Sequence, residues 1–156
     1  MKRNTQLILI VVILLVSTFI IFYNRESRDT DIPKPSPEVV SIVGCYVSRT
    51  DKNVYTLNIQ SQNDSSFSGT MHYDNFQFDD SSGTYNGSYK NEILLGDYSF
   101  TSEGMDSVRE LTFKKTGDDF VQGFGDYITV GDRQVFSGPS GIVWDPAYTY
   151  VKSPCE

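Results

Sequence analysis

The chain has 156 residues, of which 38% are hydrophobic and 13% aromatic, and its formal net charge is −7. An acidic surface of this kind repels nucleic acid and anionic lipid headgroups, so no nucleic-acid partner is expected. The single histidine excludes His-rich metal centres, and no metal or cofactor is expected.

The chain opens on an apolar segment. Residues 7–23 read LILIVVILLVSTFIIFY, without a charge and with only Ser17 and Thr18 as polar interruptions. At about 1.5 Å per residue the segment spans roughly 26 Å as a helix, the short end of what crosses a hydrocarbon core. No face of it is polar, which sets it apart from a buried helix of a small domain. Lys2 and Arg3 would suit a cleaved signal peptide, but the apolar run is longer than the usual core of one. No small-x-small cleavage pair follows it. The exit, Phe22-Tyr23-Asn24-Arg25, suits an uncleaved anchor. Residues 1–23 are therefore expected to form a signal-anchor with one transmembrane helix, the lipid bilayer being its partner through residues 7–23. Lys2 and Arg3 before the span are matched by Arg25 and Arg28 after it, so counting positive charges does not orient it. The two cysteines downstream make most sense in an oxidising compartment, which places the N-terminus in the cytoplasm and the domain outside.

Residues 24–41 read NRESRDTDIPKPSPEVVS. Pro33, Pro35 and Pro37 alternate with other residues, which favours extended polyproline II geometry and prevents helix. The expectation is a semi-rigid stalk. Within the next few residues Ile42-Val43-Gly44-Cys45 has the local form of a bacterial lipoprotein box. It lies about 20 residues beyond the apolar run, where signal peptidase does not act, and is read as coincidence.

Residues 42–156 suffice for one core and not for two. They carry sixteen Asp and Glu against eight Lys and Arg, a formal charge of −8, with Lys114-Lys115 the one basic pair. Helix signals are nearly absent, and period-two alternation recurs instead. A short strand is expected at 45–49. Over 54–61, Tyr55, Leu57 and Ile59 share a face; over 66–74, Phe67, Gly69, Met71 and Tyr73 do. Next come 84–90 with Tyr85, Gly87 and Tyr89, then 93–101 with Leu94, Gly96, Tyr98 and Phe100. Over 107–115 Arg109, Leu111 and Phe113 group together, and over 120–127 Phe120, Gln122 and Phe124 do. Short strands near 133–136 and 147–152 bring the candidates to nine, for a meander of about eight or nine strands. The connections Asp51-Lys52-Asn53, Asn63-Asp64, Asn91-Glu92, Gly117-Asp118 and Gly131-Asp132 are tight-turn chemistry. Consecutive strands joined in this way make an antiparallel up-and-down meander.

Three segments share the form Φ-x-Gly-x-Φ, where Φ is a large apolar residue, around Gly69, Gly87 and Gly96. Mid-strand glycine marks a bend or a close approach. It is how a small sheet curls into a closed barrel, although a flat sandwich with glycines beneath aromatic rings has the same pattern. The fold class expected is all-β, a small closed barrel. Residues 44–125 resemble uncharacterised bacterial envelope proteins of calycin type. The resemblance rests on Gly83-Thr-Tyr-Asn-Gly-Ser-Tyr-Lys-Asn-Glu-Ile-Leu-Leu-Gly-Asp-Tyr-Ser-Phe100, on Ser102-Glu-Gly104 and on Phe113-Lys-Lys-Thr-Gly-Asp-Asp-Phe120. There is a fainter likeness to lipocalin and avidin barrels. The lipocalin Gly-x-Trp signature is absent, Gly44-Cys45-Tyr46 standing in its place while Trp144 lies near the other end. The likeness implies a barrel and carries over no activity or binding residue.

Few residues suggest catalysis, and an enzyme is not expected. His72 lies on the polar face of its strand. Gly138-Pro139-Ser140-Gly141 lacks the elbow of an acyl-transfer nucleophile. Glu103, Asp106, Arg109 and Glu110 crowd together, and a carboxylate-driven hydrolase is the last of three functional readings. Asp79-Asp80 and Asp118-Asp119 read as turns. The candidate surface is aromatic: Tyr55, Tyr73, Tyr85, Tyr89, Tyr98 and Phe113, with Arg109 either buried against a partner such as Glu103 or set at the barrel mouth. Facing inward, these residues either line a pocket for a small apolar or amphipathic molecule or fill the interior of a structural, protein-interaction domain. In a closed barrel with an even strand count the first and last strands pair, which brings Cys45 beside Cys155 and predicts a disulfide.

Overall fold

The computed structural model of the chain describes residues 15–20, 40–102 and 104–155. The chain divides into two compact units, Met1–Glu38 and Val39–Glu156. In the first, residues 15–20 are helical, and the Thr18 hydroxyl donates to the Leu15 carbonyl at 2.9 Å. Among the described residues no helix is long and apolar enough to cross a membrane. The remainder of the expected span, and residues 24–39 of the expected stalk, lie outside the described residues.

In the second unit ten strands are found among the described residues: β1 Gly44–Arg49, β2 Val54–Asn63, β3 Ser66–Asp74, β4 Ser81–Lys90, β5 Ile93–Ser102, β6 Met105–Thr116, β7 Asp119–Phe124, β8 Tyr127–Val130, β9 Arg133–Phe136 and β10 Val143–Ser153. Eight of them close into an antiparallel barrel in the order β1-β2-β3-β4-β5-β6-β7-β10 and back to β1. The seam is the pairing of Cys45 with Ser153, Tyr46 with Lys152 and Val47 with Val151. Among the described residues five connections use positive φ, at Asp64, Asn91 with Glu92, Gly104, Gly117 and Gly131, and all of these but Glu92 are residue types that adopt it readily.

Two expectations need correction. The strand expected over 120–127 is two strands, because Gly125-Asp126 interrupts it and Tyr127 opens β8. Alternation reads the same through a single strand and through a strand followed by a new one, so the pattern could not separate them. Phe124 accordingly leaves the inward face of Phe120 and Gln122 and is exposed. In addition, β8 and β9 stand outside the barrel as a hairpin. Their link to it is a short parallel pairing of Val108 with Arg133 and Arg109 with Gln134.

The barrel curves where the glycines lie. Gly87 and Gly96 are cross-strand partners. A Cβ on Gly87 would sit 2.2 Å from the Leu95 carbonyl oxygen, and one on Gly96 would sit 2.4 Å from that of Asn86. Only glycine allows the two backbones to approach this closely. The interior is packed with rings in edge-on or tilted contact, arrangements that ring quadrupoles favour over a face-to-face sandwich. Tyr46 meets Phe120 with centroids 4.9 Å apart, and Tyr85 meets Phe67 at 4.8 Å and Phe113 at 5.6 Å, while Phe113 meets Tyr150 at 5.1 Å. Leu57, Ile59, Met71 and Leu94 fill the space between them.

Candidate functional site

Alternation on β2 to β6 carries the expected aromatic residues to the inside of the barrel. Tyr55, Tyr85, Tyr98 and Phe113 are buried, while Tyr73 and Tyr89 are partly buried against the same core. The hydroxyls of Tyr55, Tyr73, Tyr85 and Tyr98 are engaged within the protein. Tyr85 donates to the Leu111 carbonyl at 3.0 Å and Tyr98 donates to Ser81 Oγ at 3.1 Å. Tyr46, also buried, donates to the Ile42 carbonyl at 2.8 Å. The interior also holds an amide bridge. Gln122 Nε2 donates to the Tyr73 hydroxyl at 3.1 Å, and Gln122 Oε1 accepts from the Tyr150 hydroxyl at 2.8 Å. Burial disfavours phenolate, so Tyr46 is pushed up to about 12, and Tyr85 and Tyr150 lie well above the ordinary tyrosine value. These side chains form a neutral, hydrogen-bonded core.

Arg109 stands apart from them. It is exposed, its Nε donates to Gln134 Oε1 at 2.8 Å, and its guanidinium carbon lies 5.7 Å from the centre of the Tyr127 ring. Of the two placements expected, burial against a partner is not what the fold provides, because β9 lies alongside this half of β6 and offers Gln134 at the surface. Glu103 lies outside the described residues. The neighbouring acids have structural partners. Glu110 Oε2 accepts from the Phe136 amide at 3.0 Å, and Asp106 Oδ1 accepts from the Thr101 hydroxyl at 2.7 Å.

A second surface emerges at the end of the barrel that holds the β1–β2 turn and the β3–β4 loop. Here Asn53 ties the two connections together. Its Oδ1 accepts from the Phe76 amide at 3.0 Å, and its Nδ2 donates to the Tyr55 hydroxyl at 2.9 Å. The loop also caps itself, Asp80 Oδ1 accepting from the Asn75 amide at 2.9 Å. Between turn and loop lies an open cleft of about 590 Å³, lined by Asp51, Lys52, Asn53, Phe76, Phe78 and Tyr148 among others. Phe78 is 82% exposed and Phe76 58%, unusual for phenylalanines in a short loop. Tyr148 joins the cleft to the interior, its ring lying parallel to that of Tyr55 at 6.1 Å. The Lys52 ammonium sits 4.3 Å from the centre of the Phe76 ring, so an apolar wall and a charged group meet at one point.

Sequence reading passed over this cleft. Its one signal was the pair of phenylalanines in Asn75-Phe76-Gln77-Phe78, between two strands whose own alternation was complete without them. Elsewhere, His72 is exposed on β3. Asp119 Oδ1 accepts from the Lys152 amide at 3.0 Å, a contact that holds β10 against the β6–β7 turn. Among the described residues no group of three His, Cys, Asp or Glu stands together as metal ligands would.

Comparison with protein-family models, with curated proteins and with solved structures finds no match to the chain. The functional reading therefore rests on the geometry of the barrel and its mouth.

Proposed function

We propose that this chain is a membrane-anchored, non-catalytic module held on the outer side of the membrane, and that it takes a small apolar or amphipathic molecule at the mouth of its barrel. The observation that carries the reading is the open cleft of about 590 Å³ bordered by Phe76, Phe78 and Tyr148. Its volume lies in the range of small-molecule sites, and its lining is mixed, with Phe76, Phe78, Ala147 and Tyr148 as apolar walls and polar groups beside them that can orient an amphipathic ligand. Lys52, Asp51 and Asn53 are those groups. The interior tyrosines, whose hydroxyls already have protein partners, support the mouth as a rigid scaffold. Residues 7–23 supply the bilayer anchor, and the likeness to calycin-type envelope proteins favours the same placement.

Native mass spectrometry of the full chain extracted in mild detergent tests the ligand. The wild type is expected to carry a small molecule that the Phe76→Ser, Phe78→Ser variant has lost; a wild type that flies without an adduct contradicts the reading. Protease applied to intact cells tests the placement and is expected to digest residues 42–156. Protection of those residues would reverse the topology.

A second reading, a protein-interaction domain with a filled core, is favoured by the bridge from Tyr73 through Gln122 to Tyr150. A barrel that takes its ligand inside would leave such polar groups facing the cavity.

A further inference from the structure

Closing a sheet into a barrel removes its edges. Here one strand escapes that closure. Among the described residues β8 is the strand with a single neighbour, β9, and its four residues Tyr127, Ile128, Thr129 and Val130 are all exposed. Natural edges are blunted by shortness, lysine, proline, a bulge or a cover, and of these β8 has its four-residue length. β8 has no lysine and no proline, and its pairing with β9 runs without a register shift.

The phase of its backbone groups is fixed by two contacts. The Ser137 amide donates to the Asp126 carbonyl at 2.8 Å, which makes that pair a hydrogen-bonded one. In an antiparallel ladder such pairs alternate, so Ile128 with Val135 and Val130 with Arg133 follow suit. Tyr127 and Thr129 therefore turn their N–H and C=O groups away from β9. The Phe136 amide, opposite Tyr127, points away from β8 in the same manner and donates to Glu110 Oε2. The hairpin is also held firmly. The Tyr127 hydroxyl donates to the Glu110 carbonyl at 2.9 Å, Arg109 donates to Gln134, and Arg133 is ion-paired with Asp97.

We propose that the outer edge of β8 accepts an extended peptide as an added strand, from a partner with alternating β-branched residues flanked by lysine or arginine. Added strands are bound by main-chain hydrogen bonds, with side chains and flanking charges setting specificity. The flanking charges of β8 are Asp126 and Asp132. The nearby cations Arg109 and Arg133 are held at the surface by Gln134 and Asp97. A second copy of the chain would bring its own Asp126 and Asp132 and a domain charge of −8 against these. A basic partner is drawn to them instead.

Fluorescence anisotropy with a labelled peptide, Lys-Val-Thr-Val-Thr-Val-Lys, titrated with the full chain in nonionic detergent, tests this. Saturable binding is expected, weaker by about tenfold or more when the two lysines are replaced by glutamate. Thr129→Pro removes only an outward N–H, which an edge strand tolerates, and is expected to weaken binding by about tenfold or more, while Thr129→Val retains it. The same peptide N-methylated at every interior amide leaves the protein untouched and is expected not to bind. Equal binding by the Thr129→Pro variant, by the glutamate peptide or by the methylated peptide would overturn the proposal. So would self-association of the chain through this edge without peptide binding.

Discussion

Cys45 and Cys155 are separated by 110 positions in the chain, yet their α-carbons lie 5.2 Å apart and a disulfide joins them. The bond sits at the seam where the first strand of the barrel meets the last. It also commits the Cys45 sulfur, which agrees with reading the lipoprotein-like tetrapeptide as coincidence.

Cross-linking across so long a loop restricts the unfolded chain most. The Cys45→Ser, Cys155→Ser variant is expected to lose about 4 kcal/mol of stability, measured by urea unfolding of the oxidised wild type and the variant side by side. A loss below about 1 kcal/mol would mean that the bond does little to restrict the unfolded chain.

Gln122 is expected to be the most sensitive polar position in the interior. Gln122→Leu removes the partners of the Tyr73 and Tyr150 hydroxyls and is expected to cost about 2–4 kcal/mol. Adding Tyr73→Phe and Tyr150→Phe removes the stranded hydroxyls as well, and most of that loss should return. Chemical denaturation of the single and triple variants reads the difference. A triple variant no more stable than the single one would show that the amide acts by filling space.

Two glycines should respond differently to the same change. Gly87→Ala places a methyl group against the backbone of β5 and is expected to cost about 2–3 kcal/mol. Gly117 has φ +62 and nothing within 4 Å of an added Cβ, so Gly117→Ala carries the left-handed backbone penalty alone, about 1 kcal/mol. Thermal unfolding of the pair ranks them, and the reverse order would remove close strand approach as the reason for Gly87.

Alkaline pH should loosen the barrel within a defined window. Tyr46, Tyr85 and Tyr150 have folded-state values above the ordinary 10.0, mainly through burial. Raised folded values mean that the unfolded chain gives up its protons first as pH rises. Their contribution is therefore intact below about pH 10 and declines above it, being lost for Tyr46 as pH passes its folded value of about 12. Urea midpoints taken from pH 8 upward should hold level and then fall beyond about 10, with phenolate absorbance of these residues appearing only on unfolding. A phenolate signal from all ten tyrosines in the folded protein at pH 10 would contradict their burial.

Much of the barrel was legible because local pattern and global fold agree. Alternation assigned Tyr55, Leu57 and Ile59 to one face, and the turn residues Asp64, Asn91 and Gly117 take the positive φ their chemistry permits. The disulfide followed from topology, since an even closed meander has to bring its ends together. Two things were hidden. The β8–β9 hairpin docks through Glu110 and Arg109 onto residues about 25 positions away, and no local period encodes that. The mouth cleft joins Asn53, Phe76 and Tyr148 from three distant parts of the chain, so only the closed ring brings them together. The aromatic faces were found, while the partners that fill the interior, above all Gln122 for Tyr73 and Tyr150, lie on strands that pairwise alternation does not relate.

The pairing of β1 with β10 makes the barrel circular in its connectivity, and the point where the polypeptide begins becomes arbitrary. Joining residue 155 to residue 40 by a short flexible linker, which keeps the buried Ile42 and its contacts with Tyr46 and Gln62, and opening the chain at Gly117-Asp118 would preserve the neighbour relations of the strands except at that one turn. A rearranged gene of this design should yield the same barrel, with both new termini at the former β6–β7 turn. The architecture lies in the cyclic order of its strands.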